Sequence, residues 1–156
     1  MTLTAIMLVL HIASVVVWVG GMIFAHQMLR PVVVDVLEPP HRLRVWAGVF
    51  GRFFPWVWAS VILILLTGVG LIETAFGGFQ DLPIYIHTMY GIGFVMMLIF
   101  FHIFFGPYKR LQQHVAAEAW PDGATSLAQI RRLVGLNILL GLATIAVAAS
   151  GRILGF

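Results

Sequence analysis

The sequence contains no cysteine and few charged residues. Among its 156 residues, 10% are Asp, Glu, Lys or Arg and none is Cys. The lack of Cys excludes disulfide bonds, thiolate metal sites, iron–sulfur clusters and covalent haem attachment through a C-x-x-C-H motif. Any haem would therefore be non-covalent, with His or Met as the ligands that this chain can offer.

The scarcity of charge leaves four long uncharged runs, which are residues 1–29, 53–72, 82–108 and 133–151. Each run can cross the hydrocarbon core of a bilayer, which takes roughly 20 helical residues. Helices are expected because backbone polar groups inside a membrane must be satisfied within the protein. The sequence predicts an all-α, integral membrane four-helix bundle. It forms one domain over residues 1–156, with helices at about 3–29, 41–74, 83–107 and 126–151.

Basic residues are absent before the first apolar run, so that run is predicted to be a retained helix and not a secretory signal. Eight of the nine Lys and Arg residues lie in the first and third connections between the uncharged runs, residues 30–52 and 109–132. The positive-inside rule places these connections in the cytoplasm of a bacterial-type inner membrane and both termini in the periplasm. No soluble basic face is available for binding nucleic acid.

The connections carry turn signals. Gly77-Gly78 and Pro83 predict a tight turn in the second connection. In the third, Pro121-Asp122-Gly123 predicts another turn, after which Thr125 or Ser126 is expected to cap the last helix.

Two histidine pairs share one spacing. His11 and His26 are 15 residues apart, and so are His87 and His102. At about 1.5 Å of rise per residue, each pair spans roughly 22 Å, and polar side chains in such apolar segments are often functional. If the first and third segments face each other, they hold two haem b groups, the outer one between His11 and His87 and the inner one between His26 and His102.

Several cations could bind the haem propionates by charge-assisted hydrogen bonds. Arg30, Arg52 and Arg110 are candidates at the inner haem, and Arg152 is the candidate at the outer one. Two imidazole ligands leave no open position on iron and favour electron transfer. The predicted function is a membrane cytochrome that transfers electrons between the quinone pool and a partner, with no catalytic residue assigned and an oxidoreductase activity left open.

Copper is the main alternative for the same histidines. Met7 and His11 are four residues apart, as are Met22 and His26, so each pair shares a helix face. Imidazole and thioether are suitable copper ligands, and such a chain could move copper ions through the membrane. A structural role for the histidines is a third possibility. Asn137 is expected to bond either a neighbouring helix or a haem edge.

Four segments resemble the stand-alone members of the CopD copper-resistance membrane family, namely Leu10 to His26, Leu37 to Ala59, Gly106 to Leu111 and Ile130 to Leu142. This resemblance implies a four-helix membrane unit with a link to copper. The beginning of the first segment is also similar to HemJ-type protoporphyrinogen oxidases, which are haem b proteins. That similarity implies haem ligands at His11 and His102, but this chain has His87-Thr88-Met89 where that family has a lysine.

Overall fold

Four long helices make up the computed structural model, which describes residues 2–154 except for the side chains of Arg152 and Leu154. They are α1 (Leu3–Val36), α2 (Pro39–Phe76), α3 (Ile84–Ala116) and α4 (Trp120–Leu154). All four are long and apolar enough to cross a membrane, and residues 2–154 include no strand. The prediction of an all-α membrane protein is confirmed, and contact with the lipid bilayer follows from it.

Two of the helices extend beyond their predicted ends because proline does not terminate them. α1 continues to Val36 and α3 continues to Ala116. In α1, a π-helical turn at Phe24–Leu29 ends two residues before Pro31, and in α3 a π-helical turn at Phe104–Tyr108 contains Pro107. A π turn accommodates a residue that cannot join the regular hydrogen-bond ladder.

The turn predicted at Pro121-Asp122-Gly123 is wrong, because these residues form the beginning of α4. Proline is accepted in the first turn of a helix since its missing N–H has no intrahelical partner there. The capping prediction at Thr125 and Ser126 is also wrong, because both lie within the helix and the Thr125 hydroxyl donates to the Pro121 carbonyl one turn earlier. The second connection does form the predicted turn, with Gly77 at a φ of 77°.

The first and third connections meet at one end of the bundle, which we call the cationic end. There the Arg44 guanidinium lies 2.9 Å from the Glu118 carboxylate and 5.2 Å from the ring centre of Trp120. An exposed ion pair contributes less than about 1 kcal/mol to the stability of a protein. The contact therefore shows that these parts of the chain are neighbours but adds little to the stability of the bundle. The cytoplasmic location of this end stays a prediction from the distribution of Lys and Arg.

Aromatic side chains fill the centre of the bundle. Phe100 of α3 is 3% exposed, and its ring centre lies 6.2 Å from Trp18 of α1 and 5.6 Å from Phe54 of α2. On α4, the Asn137 amide nitrogen donates to the Met96 carbonyl at 3.2 Å. Asn137 therefore bonds to a neighbouring helix, which was one of its two predicted roles.

Candidate functional site

His11 is oriented by a hydrogen bond from α1 to α2. Its Nδ1 lies 2.9 Å from the Thr67 hydroxyl oxygen, and Thr67 is 4% exposed. The Thr67 hydroxyl donates its own proton to the Leu63 carbonyl. Since that proton is used, the Thr67 oxygen accepts from His11 Nδ1–H, and the lone pair of the neutral imidazole is on Nε2. A hydrogen bond at one ring nitrogen is the usual way in which proteins orient a metal-binding imidazole.

Met7 lies one turn before His11 and packs against the same neighbouring helix. A Cβ atom added at Gly70 would be 2.6 Å from the Met7 sulfur, and one added at Gly68 would be 3.5 Å from His11 Cε1. The two glycines of α2 therefore let both side chains lie directly against its backbone. We call these two side chains the Met7–His11 pair. It combines a thioether and an imidazole at the end of the bundle opposite the cationic end.

His26 lies in a different setting, at a cavity of about 340 Å³ near the cationic end. The cavity is lined by residues of α1, α2 and α4, including three arginines: Arg30, Arg42 and Arg131. His26 Nδ1 is buried without a hydrogen-bond partner, and Nε2 would lie 3.5 Å from a Cβ added at Gly135. Met22 is 4% exposed in the core and does not line this cavity. Met22 and His26, the second predicted copper pair, therefore do not share this cavity.

His87 and His102 are both exposed on α3. His87 Nδ1 lies 3.3 Å from the Pro83 carbonyl of its own helix. His102 Nε2 lies 3.5 Å from Nε2 of Gln129 on α4. The nearest polar neighbours of both rings therefore lie at the surface of the bundle, which faces lipid or solvent.

The contacts of these four rings do not support an iron between α1 and α3. His11 is bonded to α2, whereas His87 approaches the backbone of α3. Both inner rings pack on α4, where His26 approaches Gly135 and His102 approaches Gln129. At about 100° of rotation per residue, those two positions lie about 120° apart around α4. The predicted haem pairs stay a prediction, without geometric support in residues 2–154.

The cations proposed for the propionates are dispersed. Arg30 lines the cavity beside His26. Arg52 is exposed and donates to the Gly48 carbonyl, and Arg110 is exposed and donates to Gln129 Oε1. The side chain of Arg152 lies outside the described part of the chain. Arg30 and Arg110 each lie near a predicted histidine ligand, Arg110 through Gln129, which also approaches His102, but Arg30 is the one of these candidates that lines an internal space.

Within residues 2–154, no group of three or more His, Asp or Glu side chains comes together. Hard cations such as Mg²⁺ and Ca²⁺ prefer oxygen ligands, whereas thioether sulfur selects Cu(I). The Met7–His11 pair therefore fits a soft monovalent metal better than a hard divalent one.

Sequence reasoning missed Thr67, Gly68 and Gly70. They lie 56 or more residues after the pair that they contact, in the middle of a membrane-spanning segment, where Thr and Gly are common. A signal was available in Thr67 itself, because a hydroxyl within an apolar helix bonds the preceding turn and can still accept one proton. Which side chain donates a proton to the Thr67 oxygen depends on which helices are neighbours, and the sequence alone does not give that order.

Comparison with known proteins gives one match. The family model described as Copper resistance protein D matches residues 47–150, which is about two thirds of the chain. No curated protein and no solved structure matches. The resemblance to HemJ-type oxidases thus receives no support. The predicted resemblance to CopD proteins is confirmed, and the chain belongs to the CopD family of membrane proteins.

Proposed function

We propose that this protein binds Cu(I) at the Met7–His11 pair, as the metal-binding step of a copper-resistance function in the membrane. The observation that carries the proposal is the hydrogen bond between His11 and Thr67, which leaves Nε2 of a neutral imidazole free one helical turn from the Met7 thioether. Copper(I) accepts low coordination numbers and binds both donors. The family match, whose description names copper resistance, supports the same metal.

Charge favours this end of the bundle for a metal ion. Three arginines line the cavity near the cationic end, so a copper ion there would be repelled. The Met7–His11 pair lies in the run of residues 1–29, which contains no charged residue. Desolvating a cation in this segment is costly unless donors replace its hydration shell. A sulfur and a nitrogen that are already oriented reduce that cost.

Removing either donor is expected to weaken Cu(I) binding at least 10-fold. The protein would be purified in neutral detergent under reducing conditions and titrated with Cu(I) against a chromophoric Cu(I) chelator of known affinity. We expect one tightly held ion per chain and weaker binding in Met7→Leu and in His11→Ala. Met7→Leu is the cleaner variant because it removes the sulfur with little change in volume.

Matched controls come from the same residue types outside the pair. Met28 is 58% exposed on α1, and His41 is exposed at the beginning of α2. Met28→Leu and His41→Ala are expected to bind Cu(I) as the parent protein does. Unchanged affinity in both Met7→Leu and His11→Ala would reject the proposal.

The same purified sample tests the haem b prediction. Haem gives an absorption spectrum with sharp reduced bands, whereas a Cu(I) protein without haem is colourless. A red protein with haem bound near stoichiometry, and no retained copper, would favour the electron-transfer function instead. Loss of the haem in His26→Ala and His102→Ala would then identify its ligands.

A further inference from the structure

The cavity near the cationic end combines positive charge with an apolar wall. Its volume is about 340 Å³, within the range in which proteins bind small ligands. Arg30, Arg42 and Arg131 supply the charge, and no Asp or Glu is among the residues that line it. The large aromatic members of the lining are Trp46, Phe50 and Trp120. A ligand that combines an anionic group with an apolar portion therefore matches both the arginines and the aromatic wall.

One of the three arginines is held in place by hydrogen bonds to neutral acceptors, so its positive charge is not neutralised. Arg42 donates from Nε to the Leu37 carbonyl and from a terminal nitrogen to the Val34 carbonyl. These acceptors belong to the end of α1 and are neutral. In residues 2–154, the one ion pair between side chains joins Arg44 to Glu118, so the described contacts leave the arginines of the cavity without a carboxylate partner.

The third feature is an unpartnered polar atom. His26 lines the cavity, and its Nδ1 is buried without a hydrogen-bond partner. A buried nitrogen without a partner costs about 1–3 kcal/mol, so this ring is an unsatisfied polar position in the wall of the cavity. The ring lies on the π-helical turn at Phe24–Leu29, a kind of irregularity that is frequent at functional sites.

We propose that this cavity binds the headgroup of an anionic phospholipid, such as phosphatidylglycerol, with the phosphate between Arg30 and Arg131. Basic cavities between transmembrane helices, near the membrane surface, are suited to phospholipid headgroups. The aromatic wall accommodates the glycerol and the beginning of an acyl chain, which a free phosphate ion lacks. This site is independent of the proposed copper site at the other end of the bundle.

The test is lipid binding by the whole chain in neutral detergent, measured by native mass spectrometry with added phosphatidylglycerol or phosphatidylcholine. We expect one tight site for phosphatidylglycerol and at least 10-fold weaker binding of phosphatidylcholine. The double variant Arg30→Gln, Arg131→Gln is expected to lose on the order of 30-fold in phosphatidylglycerol affinity. Excess inorganic phosphate is expected to leave the lipid bound.

Two further variants distinguish lipid binding in the cavity from a general effect of positive charge. Lys109→Gln with Arg132→Gln removes the same charge from exposed positions that do not line the cavity and is expected to keep the lipid site. Ala128→Leu fills the cavity without changing charge and is expected to weaken binding at least 10-fold in a chain that still folds. Equal binding of both lipids, displacement by phosphate, equal loss in the exposed double variant, or a haem spectrum lost with His26→Ala would each overturn the proposal.

Discussion

Gly141→Ala is expected to lower the stability of the bundle by about 1–3 kcal/mol. A Cβ atom at this position would lie 2.8 Å from Val19 Cγ2 and 3.3 Å from Met96 Cε. Both neighbours are buried, at 4% exposure each. Val19 is β-branched and has little rotational freedom, so the added methyl group must move α4 away from α1.

The control is the same substitution where space is open. A Cβ at Gly91 of α3 would meet no atom within 4 Å, so Gly91→Ala is expected to leave the unfolding midpoint unchanged or raise it. Thermal unfolding in one detergent would be compared for the two variants and the parent protein. Equal midpoints for Gly141→Ala and the parent would contradict the close approach of α4 to α1 and α3.

The four spans were predictable because the signal for each lies within its own segment. An uncharged run of about 20 residues is sufficient to identify a spanning helix, as for the run of residues 82–108. The ends of the helices were less predictable, because proline can either end a helix or begin one. Pro121 lies in the first turn of α4, and Pro31 follows a π-helical turn within α1.

The functional geometry was predictable in part. A histidine within an apolar run indicates a buried polar role, and His11 has such a role through its bond to Thr67. The equal spacing of the two histidine pairs places residues along helices but does not determine the order of helices around the bundle. Contacts of His11 with α2 and of His26 with α4 depend on that order, which is a property of packing over the whole chain.

Thr67→Val is expected to weaken Cu(I) binding about 10–100-fold, although Thr67 itself does not bind the metal in the proposed site. Valine has a similar shape but no acceptor, so His11 Nδ1–H loses its partner and the ring is no longer held with Nε2 free for the metal. Thr67→Ser keeps an acceptor oxygen and is expected to restore most of the affinity. The chelator competition used for Met7→Leu measures both variants.

A purely structural role for Thr67 would give a different pattern. Thr144 of α4 also donates its hydroxyl proton one turn back, to the Leu140 carbonyl, and the described hydrogen bonds link it to no histidine. Thr144→Val therefore removes the same kind of intrahelical bond and is expected to leave the Cu(I) affinity unchanged. If Thr67→Val lowers the unfolding midpoint but keeps the parent's Cu(I) affinity, Thr67 stabilises the α1–α2 contact and does not position His11 for a metal.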